Sequence, residues 1–199
     1  MLAFTVKQGL TKWAEHVKEK AKGVGHIPAA AADAVKNFLA FVRYTFSGFD
    51  ENWHQTELAQ KLDLFAQGKI PRLMILMPPR HSKTEFASRR LPAYIFGKNP
   101  NARIIACSYN ADLAYLVSRD VKRIINDPAY PFPDTKIAGK DTDAFFEINE
   151  SGYYRAAGIR GGVGGMGASF AIIDDPIKDG AEALSKTVRD AVWEWYAST

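Results

Sequence analysis

The chain has 199 residues, 47% apolar and 24% charged, which suits one ordinary folded domain and excludes wholesale disorder. Its net charge of +4 is unevenly spread: residues 1–46 hold 7 Lys+Arg against 3 Asp+Glu, whereas residues 47–199 hold 19 of each. A uniformly basic nucleic-acid-binding body is thereby excluded, and the single cysteine, Cys107, excludes an internal disulfide and a cysteine-based metal cluster.

Only Leu2–Phe4 are apolar ahead of Lys7 and Lys12, so no signal-peptide core is expected. The apolar stretches fall well short of the ~18–20 residues that span a bilayer. A soluble, cytosolic chain is the expectation. Residues 1–22 read as a Lys-rich amphipathic helix and Gly23–Pro28 as a weak linker. Val35, Phe38, Leu39, Val42 and Phe46 then recur at helical spacing, as in a helix packed on a main domain. Residues 1–46 are thus expected as a basic helical segment and residues 47–199 as the main domain.

Leu58, Leu62 and Phe65 predict a helix over 54–66 that ends at Gly68, followed by a strand over Arg72–Met77. A helix starts near Lys83-Thr84, with Pro92 expected to kink or restart it. A second strand over Arg103–Ser108 leads through Asn110, a helix cap, into a helix with the stripe Leu113, Leu116, Val117, Val121, Ile124 and Ile125. Residues 128–143 hold three prolines and read as loop. Phe145–Ile148 and Tyr153–Ala156 read as a β-hairpin. A Gly-rich stretch, Gly158–Gly167, carries six glycines in ten positions. A strand over Phe170–Ile173 and a helix over ~181–196 close the chain. Alternating strands and helices predict an α/β fold with a mainly parallel sheet flanked by helices.

Two constellations carry chemistry. The first is strand, tight loop, Lys83-Thr84, helix start. Such a loop turns backbone N–H groups towards a phosphate, and the helix N-terminus adds positive potential. Against the pattern G-x-x-x-x-G-K-[ST], Met77 stands where the first glycine belongs and Ser82 where the second does. Pro78 and Pro79 lack N–H groups, so donors must come from Arg80 to Thr84. The second constellation is Asp174-Asp175 at the end of an apolar strand, the edge of an α/β sheet where ligands bind. One acid of such a pair holds Mg²⁺ and the next orients or deprotonates water. Their order along the chain points to an NTPase of the P-loop type.

The run Leu73–Glu85 resembles the ATP-binding segment of tailed-bacteriophage terminase large subunits, where Pro-Pro-Arg-His before Gly-Lys-Ser-Glu is a frequent variant. The resemblance extends through Tyr153–Gly167, Ile172–Lys178 and Val192–Tyr196, and so covers about residues 50–199. It implies ATP and Mg²⁺ as cofactors of a motor that drives double-stranded DNA into a procapsid. It implies a ring docked on the portal protein, a small terminase subunit as partner, and the host cytoplasm as location.

On matching positions, Lys83 and Thr84 take the phosphate and magnesium roles and Asp174 the metal-side acid. Asp175 stands at the catalytic glutamate position, one methylene shorter. Arg80 matches a loop arginine that senses the γ-phosphate, and His81, Ser82 and Glu85 complete the nucleotide loop. Gln55 falls where relatives carry an adenine-contacting element. Arg155 and Arg160 are candidates for acting on a neighbouring subunit's ATP. The nuclease domain of the family would follow Thr199, so no nuclease activity is expected. A helicase-like motor, or a non-catalytic assembly module using residues 1–46 to dock the small subunit, portal or DNA, are the alternatives. Arg89-Arg90, Lys122-Arg123, Lys136 and Lys140 are the local basic clusters, expected as solvated faces.

Overall fold

A computed structural model describes residues 29–149 and 151–198. The helix expected over 1–22 and the linker Gly23–Pro28 lie outside the described residues. The first described elements are α1 (Ala29–Ala34) and α2 (Phe38–Thr45). The side chain of Asn37 accepts from Ala40 N and caps α2. Phe38, Phe41 and Val42 are fully buried and enter the same core as Phe86, Tyr94 and Phe132. Burying each such side chain stabilises the fold by roughly 1.5–3 kcal/mol.

Helix α3 (Trp53–Ala66) starts at a capping box in which Asn52 and Gln55 serve each other's backbone. Its buried stripe is Leu58, Ala59 and Leu62. The expected strand at Arg72–Met77 is extended, and its side chains alternate as a strand's do: Leu73, Ile75 and Met77 face the core, while Met74 and Leu76 are 83% and 85% exposed. It does not join the sheet. Among the described residues its backbone makes no hydrogen bond, because a strand's periodicity fixes which face is buried but supplies no neighbour to pair with.

A helical run then begins at Lys83, widens over Glu85–Arg90 and continues as α4 (Leu91–Lys98), which is almost wholly buried. In the wide turn the Leu91 N–H reaches the Phe86 carbonyl, five residues back. Pro92 explains the widening. It has no N–H for the Ser88 carbonyl, and its ring would collide with that carbonyl in a regular helix.

Strand β1 (Arg103–Ser108) follows, then α5 (Ala111–Asn126), capped by Asn110 as the sequence predicts. Ala114, Val117, Val121 and Ile125 form its buried stripe, and Leu116, expected inside, is exposed. The segment expected as loop contains an edge strand, β2 (Ile137–Asp141). Its pairing comes from backbone bonds and little burial, which is why no apolar pattern announces it. The hairpin β3 (Phe145–Ile148) and β4 (Gly152–Gly158) forms as expected. Strand β5 (Phe170–Ile173) precedes two helices, α6 (Gly180–Leu184) and α7 (Lys186–Ser198), where one was expected.

The fold is α/β, with the strands ordered β2-β3-β4-β1-β5. The sheet is mixed: β1 pairs in parallel with β4 and β5, while β2–β3 and β3–β4 are antiparallel. Ile104 and Ala106 face the main core under the helices; Ile105 and Cys107 face a smaller cluster covered by Val163, Met166 and Trp195. The β1–β5 pairing extends past the strand ends. Asp174 N donates to Cys107 O at 2.9 Å and Tyr109 N donates to Asp175 O at 3.1 Å.

Candidate functional site

The loop that follows the extended segment is bent by left-handed residues that are not glycine. Arg80 and Ser82 have φ of 64° and 67°. Ser82 therefore adopts, at the position of the pattern's second glycine, a conformation that glycine takes without strain. A tether holds it there. Gln55 Nε2 donates to Ser82 Oγ at 2.9 Å, while Gln55 Oε1 accepts from Asn52 N at 2.8 Å. Both ends of this buried amide are thus engaged within the protein. The neighbouring His81 places Nδ1 2.8 Å from the Pro79 carbonyl, to which only an Nδ1–H can donate. The rings of Trp53, His54 and His81 form a chain of contacts beside the loop. Arg80 is exposed.

The helical run starting at Lys83 directs this residue across to the end of β5. Lys83 Nζ donates to Asp175 Oδ1 at 2.6 Å and lies 3.8 Å from Asp174 Oδ1. Its hydrogen bond to Asp175 holds the ammonium above the ordinary lysine range, against the opposing effect of partial burial. Asp175 itself has φ of 46°, a third left-handed residue at the same place. Its side chain is 55% exposed, whereas that of Asp174 is only 12% exposed. Two residues that stand 92 apart in the chain thus meet in one ion pair.

Thr84, half-buried beside Lys83, offers a hydroxyl, and Asp174 offers a carboxylate oxygen. These are oxygen donors, the chemistry a hard cation such as Mg²⁺ takes when phosphate and water supply its other ligands, so the residues fit it. Among the described residues no cluster of three or more His, Cys, Asp or Glu could cage a metal unaided. Glu85 turns away, pairing with Arg89 at 2.7 Å and with Arg90.

Sequence reasoning missed Ser88. This buried side chain donates to Asp174 Oδ2 at 2.8 Å, across 86 residues of chain. The one local signal was Pro92, four residues later. Arg155 donates to the Gly162 carbonyl at 3.2 Å and braces the Gly-rich stretch, while Arg160 is exposed there. Several residues of the basic clusters are committed internally. Arg89 and Arg123 pair with Asp120, and Lys122 pairs with Asp141 and Asp143. Arg90 sits over the Phe46 ring at 4.3 Å, and burial pushes its guanidinium down to about 10. No described helix is long and apolar enough to cross a membrane.

No curated protein and no solved structure matches the chain. The family described as terminase large subunit, T4likevirus-type, N-terminal, does match, over residues 74–199. The match runs from within the extended segment, through the Lys83 loop and the acid pair, to the end of the chain. More than half of the sequence is covered, and the chain belongs to the terminase large subunit family, as its N-terminal region.

Proposed function

We propose that this chain is the ATPase part of a DNA-packaging motor and that its site is a P-loop-type nucleotide site. The observation that carries the reading is the meeting of Lys83 with Asp174 and Asp175 beside a strained loop at the start of a helix. Non-glycine residues in the left-handed region, held by a specific tether, are the kind of local strain that functional sites retain. Family membership supports the packaging role.

In this reading Lys83 passes from Asp175 to the β- and γ-phosphates when ATP enters. The N–H groups of Ser82 to Thr84 and the helix N-terminus add donors and positive potential. Thr84 and Asp174 are the residues that would hold Mg²⁺, and the ion would supply neutralising charge beside the phosphates. Asp175, released by Lys83, orients the attacking water and accepts its proton. Arg80, exposed on the loop, reaches the γ-phosphate. His81 and Gln55 support the loop, His81 through the Pro79 carbonyl and Gln55 through Ser82, while Glu85 braces the helix behind it through Arg89 and Arg90. Double-stranded DNA, the small terminase subunit and the portal protein are the partners, in the cytoplasm of a bacterial host, with the full-length subunit acting in a ring.

Phosphate release from ATP tests the reading. The wild-type chain with Mg²⁺ should hydrolyse ATP, and Lys83→Ala should reduce the rate to background. Equal release by both proteins would refute the assignment.

A further inference from the structure

The wide turn at Glu85–Arg90 does more than accommodate Pro92. It aims a buried hydroxyl at one of the two acids. Ser88 is 2% exposed, and its Oγ donates to Asp174 Oδ2 at 2.8 Å. The opposite oxygen, Oδ1, is the one that faces Lys83, at 3.8 Å. Asp174 is therefore held from behind by a neutral donor, with its other oxygen directed into the site. Its backbone is anchored as well, since Asp174 N donates to Cys107 O. Rotating the bound oxygen forward would break the hydrogen bond from Ser88. Hydrogen bonds behind a ligand orient it, and their loss typically costs 10–100-fold in metal affinity.

We infer that Ser88 is a positioning residue for the magnesium step: its hydroxyl locks Asp174 so that Oδ1 is presented to the cation, and the Pro92-dependent wide turn sets the hydroxyl in place. The inference rests on the nucleotide-site reading above. It separates two properties of the site. Contacts of Lys83 and the loop with phosphate do not depend on Ser88, whereas the gain in affinity that Mg²⁺ brings does.

The test is calorimetric titration of the full 199-residue chain with a non-hydrolysable ATP analogue, in EDTA and across a Mg²⁺ series. Ser88→Ala removes only a hydroxyl; Ser88→Thr restores one. Thermal unfolding of each variant reports whether the fold is intact. Ser88→Ala should bind the analogue in EDTA within twofold of wild type. Its Mg²⁺ requirement should rise about tenfold or more, and Ser88→Thr should recover most of it. Pro92→Ala, which lets the helix close to a regular turn, should shift the Mg²⁺ requirement in the same direction. An unchanged Mg²⁺ series in folded Ser88→Ala overturns the inference and leaves the nucleotide site standing. So does an equal loss with and without Mg²⁺. A wild-type chain that binds no analogue under either condition overturns the nucleotide-site reading, and this inference with it.

Discussion

Lys83 Nζ donates to Asp175 Oδ1 at 2.6 Å, so the cation assigned to phosphate is held by the acid assigned to water. A phosphate must compete with that carboxylate for the ammonium. Replacing Asp175 with asparagine removes the competing charge and the proton acceptor together. Asp175→Asn is therefore expected to bind ATP at least as tightly as wild type. Hydrolysis should fall by about a hundredfold or more, the range of a lost general base. Parallel binding and phosphate-release assays check this; weaker binding in the variant would contradict it.

Ser82 tests how the loop is held. Its left-handed backbone costs about 1–2 kcal/mol, which glycine would relieve, and its hydroxyl bond to Gln55 is worth about 1 kcal/mol. The two effects oppose each other, so Ser82→Gly should leave stability within about 1 kcal/mol. Gln55→Ala loses both the tether and one half of a helix cap, and should cost about 1–2 kcal/mol. Urea unfolding of both variants gives the comparison. A larger loss for Ser82→Gly than for Gln55→Ala would reverse the account.

These features differ in how far the sequence reveals them. Lys83 and the acid pair are legible because each follows an apolar run, Lys83 after a short loop and the acids directly, and a phosphate site uses them in that order. Asn110 is legible as a cap for the same local reason. Ser88 is not, because a hydroxyl that meets a carboxylate 86 residues away leaves no periodic trace. The mixed sheet is hidden for another reason. Strand β2 has only Ile137 partly buried and follows three prolines, so backbone pairing alone defines it. Arg72–Met77 shows the converse, with a strand's alternation and no partner strand among the described residues.

Tyr154 lies at the centre of the sheet with its ring stacked on Phe146 at 5.0 Å. Its buried hydroxyl has no hydrogen-bond partner among the described residues. An unsatisfied buried hydroxyl costs about 1–3 kcal/mol. Tyr154→Phe keeps the ring and should stabilise the protein by about 1 kcal/mol or more. Chemical denaturation checks the sign, and a destabilised variant would show that the hydroxyl has a role in the fold.

Alkaline pH should weaken the fold. Burial pushes the Cys107 thiol up to about 11, and it pushes the hydroxyls of Tyr94, Tyr130 and Tyr154 up further. Between the unfolded thiol value near 9 and the folded value, the unfolded state has lost a proton that the native state keeps. Stability should therefore fall as pH rises through that window, and fall further above 10 as the unfolded tyrosines ionise. Urea midpoints from pH 8 to pH 10.5 measure it. Cys107→Ala should reduce the slope below pH 10; an unchanged slope would exclude the thiol as its source.

Magnesium-dependent ATP binding, measured by calorimetry on the 199-residue chain and on Lys83→Ala, tests the central claim most directly. Wild type should bind ATP with Mg²⁺, and Lys83→Ala should lose that binding, despite Met77 and Ser82 in the place of the two glycines. Equal heats in both proteins, or none in wild type, would contradict a nucleotide site here and leave the chain an assembly piece of the packaging machinery.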